Sequence, residues 1–223
     1  LKVEEMPYNT QDLSHIKHIK DLPVVDIGCD ASASWATRYK HLVDWDPVDV
    51  IAKKILSYTP EDKWVCSTGQ DIHFIITGGE PLMWQRQLEA LIRQPAFRDL
   101  RNLTFETNTT QMLVPNFWTF LENYQAHTTF ACSPKLSISG ESRTRAIKPN
   151  VVNSYSKVKN SELFLKFVVQ DEQCLDEVKN ALDDFKLPNN IPVYLMPVGG
   201  TQETLDLTEK QVAKVALENG FKF

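Results

Sequence analysis

The feature that most constrains this chain is a series of short, extended, largely apolar runs: Pro23 to Ile27, Ile72 to Thr77, Asn102 to Glu106, Thr128 to Cys132, Leu163 to Val169 and Pro192 to Met196. Near-continuous runs of this length suit strands of a parallel sheet covered on both faces. Helical patterns separate them. Asp46 as a cap and Pro47 in a first turn precede Ile51, Ile55 and Leu56 on one face. Pro115 opens a stretch with Phe117, Phe120, Leu121 and Tyr124 at i, i+3, i+4 and i+7. Asp171 stands before Leu175, Val178, Leu182 and Phe185, and Thr208 with Gln211 reads as a capping box ahead of Val212 and Val215, with Gly220 as the stop.

Strand then helix, repeated, predicts an α/β fold with a parallel sheet and right-handed crossovers. Six such units fall short of the eight that close a full barrel, so a partial (β/α)6 barrel or an open sheet is expected. At 223 residues the chain is sized for one domain, residues 1–223. The stretch from 137 to 159, with its Ser-Gly and Pro-Asn pairs, reads as a long irregular loop.

The net charge is −5 and no segment gathers lysine and arginine into a stripe, which argues against direct binding of nucleic acid. No apolar run approaches the roughly 20 residues of a spanning helix, and Lys2, Glu4 and Glu5 do not open a signal sequence. No membrane association and a soluble, cytoplasmic protein are expected. The four cysteines, Cys29, Cys66, Cys132 and Cys174, form no CxxC pair. Cys66, Cys132 and Cys174 read as small core residues, and His15 with His18 as surface histidines.

One strand ends in Thr77-Gly78-Gly79-Glu80-Pro81. Glycines at a strand's C-terminal end let backbone approach a ligand, and the acid can accept hydrogen bonds from an ammonium group. Three further strings fall at strand ends: Phe105-Glu106-Thr107-Asn108-Thr109-Thr110, Cys132-Ser133-Pro134-Lys135-Leu136 and Leu195-Met196-Pro197. Strand C-terminal ends are where α/β folds bind ligands.

The Gly-Gly-Glu string resembles the S-adenosylmethionine (SAM) motif of radical-SAM enzymes, and the four strings in this order resemble the 7-carboxy-7-deazaguanine synthases. The resemblance implies a partial barrel of the radical-SAM type, a homodimer, and a carbon-nitrogen lyase that uses SAM, a 4Fe-4S cluster and Mg2+. Its small-molecule substrate would be a pterin, 6-carboxy-5,6,7,8-tetrahydropterin, converted to a deazapurine by ring contraction. It implies that Gly78, Gly79 and Glu80 hold the methionyl amino group, that Asn108, Ser133 and Lys135 contact ribose or carboxylate, and that Cys29 is a cluster ligand.

The chain departs from that pattern. The family's CxxxCxxC spacing is here Cys29, Ala33 and Ala36, and alanine offers no ligand atom to iron. Arg38 stands where the family has the threonine that serves magnesium, and the N-terminal string that faces the pterin has only Gln11-Asp12 as its nearest counterpart. A cluster-deficient protein is expected, with a catalytically inactive SAM- or nucleoside-binding module of the same fold as the alternative. Asn219 to Phe223 resembles the start of the family's closing segment.

Overall fold

The structure, a computed structural model, describes residues 12–22 and 36–223. The first expected strand, Pro23 to Ile27, and the positions of Cys29 and Ala33 lie outside the described residues. Five strands form one sheet in the order β1-β2-β3-β4-β5: β1 His73–Ile76, β2 Asn102–Thr107, β3 His127–Cys132, β4 Ser161–Val169 and β5 Val193–Pro197. Each of the five expected runs within the described residues is therefore a strand. The pairings β1·β2, β2·β3 and β4·β5 are parallel. The order never reverses, as it must in a doubly wound sheet, so the succession is that of a β/α barrel.

The chain packs as two compact units, one of Trp45–Cys132 with Asn150–Phe164, the other of Leu1–Asp44, Ser133–Pro149 and Leu165–Phe223. In the first unit, α1 (Val48–Leu56) begins after Pro47, which is itself the cap residue; Asp46 sits one residue too early to cap. Helices α2 (Gln85–Ile92) and α3 (Pro115–Asn123) follow β1 and β2. Pro115 occupies the first turn of α3, where its missing N–H costs nothing, and Phe117, Phe120 and Leu121 are buried as the periodicity predicts. Phe117 meets Phe105 of β2 edge-on at 5.8 Å, and Phe105 stacks on Phe130 of β3 at 6.0 Å. Each such side chain, fully removed from water, contributes on the order of 1.5–3 kcal/mol.

The stretch 137–159 is not an irregular loop. It holds a 3-10 turn at Ser137–Ser139 and the short helices α4 (Arg143–Ala146) and α5 (Pro149–Tyr155). The Pro-Asn pair read as a turn is the start of α5, whose Val151, Val152 and Tyr155 are buried.

In the second unit, Asp171 caps a 3-10 turn by accepting from Gln173 N, and α6 (Leu175–Phe185) follows. Helix α7 (Gln202–Glu218) starts earlier than expected, because its capping box is Thr201 with Thr204. Thr208 lies inside the helix, where its hydroxyl donates to Val198 O at 2.8 Å. A Cβ on Gly199 would stand 2.8 Å from Leu205 N, so only glycine fits beneath the start of α7. Gly220, at φ 74°, ends that helix. Leu13, Ile16, Ala36 and Tyr39 form a small apolar cluster of their own in this unit.

Candidate functional site

The site is built where β1 and β2 end. Gly78 follows β1 at φ 129°, a backbone state that an L side chain rarely adopts, and the space a Cβ would occupy is open. Glu80 then turns back into the protein. Its carboxylate is 8% exposed and accepts from Leu82 N at 3.0 Å, from Asn108 N at 2.7 Å and from the Thr107 hydroxyl at 2.9 and 3.0 Å. Glu80 therefore caps the 3-10 turn Pro81–Trp84 and ties it to the end of β2.

Buried Gln85 adds a second tie. Its Nε2 donates to Leu82 O at 2.8 Å and Met112 O at 3.0 Å, and its Oε1 accepts from Val114 N at 2.8 Å. Asn108, a donor to Glu80 through its backbone N–H, has its own side chain fixed as well. Its Oδ1 accepts from Thr110 N at 3.1 Å and the Thr110 hydroxyl at 2.7 Å, which fixes the amide plane and leaves Nδ2 as the edge available to a ligand acceptor.

Behind this turn the neighbours of Glu80 are buried. Cys132, fully buried at the end of β3, has its thiol pushed well above the ordinary range by burial, with the Glu80 charge adding to the effect. Tyr155 is raised in the same way by burial, partly offset by the Thr107 hydroxyl beside it, with the Glu80 charge acting further upward. Both groups stay protonated. On the neighbouring face of the sheet, the Thr77 hydroxyl donates to Glu106 at 3.3 Å and His73 meets the Thr104 hydroxyl at 2.6 Å.

Of the residues singled out in the sequence, Gly78, Gly79, Glu80 and Asn108 are brought together in the first unit. Ser133, half-buried, and Lys135, exposed, belong to the second, and Cys29 lies outside the described residues. Gln85 and Tyr155 were not found by motif reading. Gln85 is one polar residue at the start of a helix, and Tyr155 lay in a stretch read as loop.

The fold and this site define an α/β protein of barrel-type strand order whose first paired strands end in an acid-anchored glycine turn. Comparison with known proteins gives the particular likeness. The chain is 25% identical, over all of its length and 87% of the relative's, to a 7-carboxy-7-deazaguanine synthase of Halobacterium salinarum. It is 26% identical, over 90% of its length and 77% of the relative's, to a 7-carboxy-7-deazaguanine synthase of Pyrobaculum aerophilum. This chain resembles the 7-carboxy-7-deazaguanine synthases along most of its sequence, as its motifs indicated. No protein-family model and no solved structure matches it.

The residues present do not fit a standard cluster. Ala36, which the resemblance sets at the third ligand position, is buried in an apolar cluster with Leu13, Ile16 and Tyr39, against which Leu22 and Leu42 pack, and it offers iron only a methyl group. Among the described residues no group of three His, Cys, Asp or Glu side chains could hold a metal ion, and His15 and His18 are exposed. Nor is any helix among them long and apolar enough to cross a membrane.

Proposed function

We propose that this chain is a 7-carboxy-7-deazaguanine synthase-like protein of queuosine or related deazapurine biosynthesis that lacks the standard cluster, a single radical-SAM-like domain acting as a cytoplasmic homodimer. The observation that supports the reading is the packing of Ala36: the residue that the resemblance sets at a ligand position is an alanine within an apolar cluster. The likeness to the two synthases supports the metabolic setting.

The ligand favoured by the strand-end turn is SAM or a related nucleoside, beside a pterin or deazapurine. Gly78, with open space beside it, gives backbone access, Gly79 is carried over from the family with it, Glu80 fixes the turn and supplies negative charge near an ammonium, and the Asn108 amide donates to an acceptor. Ser133 and Lys135 are carried over from the family as contacts to ribose or carboxylate. When bound, a 4Fe-4S cluster supplies the electron that splits SAM; with Ala33 and Ala36 no step is assigned through it, and with Arg38 none through Mg2+.

A second reading, favoured by the same buried Ala36, is a SAM- or nucleoside-binding module that performs no radical step. Anaerobic reconstitution with iron and sulfide analysis tests the first claim. Far less than one 4Fe-4S cluster per chain is expected; a stoichiometric cluster with broad visible absorption would overturn it. Calorimetric titration tests the ligand, and no heat with millimolar SAM would remove it. Sedimentation showing only monomer at micromolar concentration would remove the homodimer.

A further inference from the structure

Thr109 is fully buried and sits at φ 65°. This is the left-handed region, where a β-branched residue is strained and persists only if its surroundings over-determine it. The turn is pinned from several sides. Thr109 N donates to the Thr107 hydroxyl at 3.0 Å, the Thr109 hydroxyl donates to Asn108 O at 2.6 Å, and the Thr107 hydroxyl is itself held by Glu80. Beyond the turn, the buried Tyr155 hydroxyl donates to Gln111 O, and the Tyr155 ring stacks on Phe130 at 4.7 Å with the planes 12° apart. The ring is thus anchored on β3 while its oxygen grips the segment that follows the strained residue.

We infer that Tyr155 is a positioning residue that acts through Gln111 and the strained Thr109 turn on the Asn108 amide. The inference deepens the ligand-binding reading above and rests on it for the ligand alone. Without the hydroxyl, the segment after Thr109 loses its fixed end, the left-handed turn relaxes, and the bonds from Thr110 to Asn108 Oδ1 no longer hold the amide plane. Nothing about the ring stack changes. The effect should be local to residues 107–111.

The test is Tyr155→Phe in the whole chain, which keeps the stack on Phe130. Amide hydrogen exchange is followed by NMR. Thr109 N and Thr110 N, donors to Thr107 and Asn108, should exchange at least ten-fold faster, with amides in β2 and β3 unchanged. Unchanged protection at Thr109 and Thr110, or an equal loss across the strands, would overturn the inference. Thr109→Gly provides a second route: glycine adopts φ 65° without strain, so in that background the turn no longer depends on Tyr155, and adding Tyr155→Phe should leave exchange at Thr110 nearly unchanged; a further ten-fold rise there would count against the idea.

SAM titration is the separate arm. If SAM binds the parent, Tyr155→Phe should weaken it about three- to ten-fold, and the same change made on top of Asn108→Ala should have no further effect. An equal further loss in the Asn108→Ala background would overturn action through Asn108. Absence of SAM binding in the parent would sink the ligand reading, while the exchange experiment still decides the positioning role.

Discussion

Both oxygens of the Glu80 carboxylate accept from one group, the Thr107 hydroxyl, at 2.9 and 3.0 Å. This joins the turn after β1 to the last residue of β2 from within the protein. The same carboxylate holds two backbone N–H groups, so its role is structural before any ligand arrives.

Glu80→Gln should therefore destabilise the fold as well as any bound cation. The introduced NH2 must face the N–H of Leu82 or of Asn108, leaving a buried donor unpaired. About 1–3 kcal/mol should be lost. Urea unfolding checks this, and an unchanged midpoint would mean that the carboxylate is not clamped as described.

At Ala36 the expected outcome is tolerance of cysteine combined with low reactivity. The side chain is 8% exposed among apolar neighbours, so Ala36→Cys adds one buried thiol of raised pKa. Alkylation of that thiol at neutral pH should be at least ten-fold slower than in the urea-unfolded chain. A thiol that reacts at the unfolded rate would place position 36 outside the cluster. Ala36→Asp, in contrast, should destabilise the cluster, because an unpaired carboxylate would be buried there.

Two glycines should respond differently to alanine. At Gly199 the obstacle is space, since Leu205 backbone and side-chain atoms lie 2.8–2.9 Å from the added Cβ, and about 1–3 kcal/mol should be lost. At Gly78 the space is open and the cost comes from φ 129° alone, of the same order. Adding Leu205→Ala should recover part of the Gly199→Ala loss by removing the side-chain contact, and should do nothing for Gly78→Ala.

How much of this was readable beforehand depended on whether the signal was local. Strands β1 to β5 and the apolar face of α3 came from periodicity, because burial acts residue by residue and leaves its period in the sequence. The start of α7 was misplaced, since Thr208-x-x-Gln211 and Thr201-x-x-Thr204 are alike as strings and only the backbone places the cap. Gly78, Gly79, Glu80 and Asn108 were found because they cluster in short strings. Gln85 and Tyr155 act across 27 and 44 residues of sequence, on Met112 and Gln111, and no local pattern encodes such partners.

Alkali should unfold the protein through its buried phenols. Burial pushes Tyr124 up to about 12 and moves Tyr155 in the same direction. An unfolded tyrosine loses its proton near pH 10, so between that pH and the folded value the unfolded chain binds fewer protons and stability falls as pH rises. The stabilising contribution is complete below about pH 10. Tyr155→Phe should flatten the decline measured by urea midpoints from pH 9 to 11, and an unchanged slope would show that this phenol ionises freely in the folded protein.

The last expectation concerns Gln85, whose three hydrogen bonds all go to backbone: donation to Leu82 O and Met112 O, acceptance from Val114 N. No other side chain of similar shape can do this. Gln85→Glu keeps the volume and the bond from Val114, but sets a carboxylate oxygen against two carbonyl oxygens. It should cost about 1–3 kcal/mol at pH 7, or more if the charge is retained. Burial and the carbonyls raise the introduced carboxyl's pKa above its unfolded value, so the folded state binds the extra proton and the loss should shrink as pH falls toward 5. A protonated acid can donate to one of the two carbonyls. Gln85→Met has no proton to gain and should be equally destabilising at both pH values, once the parent's own pH dependence is subtracted. Urea midpoints of the three proteins at pH 7 and pH 5 decide it: if Gln85→Glu shows no recovery relative to Gln85→Met, the amide does not face Leu82 O and Met112 O.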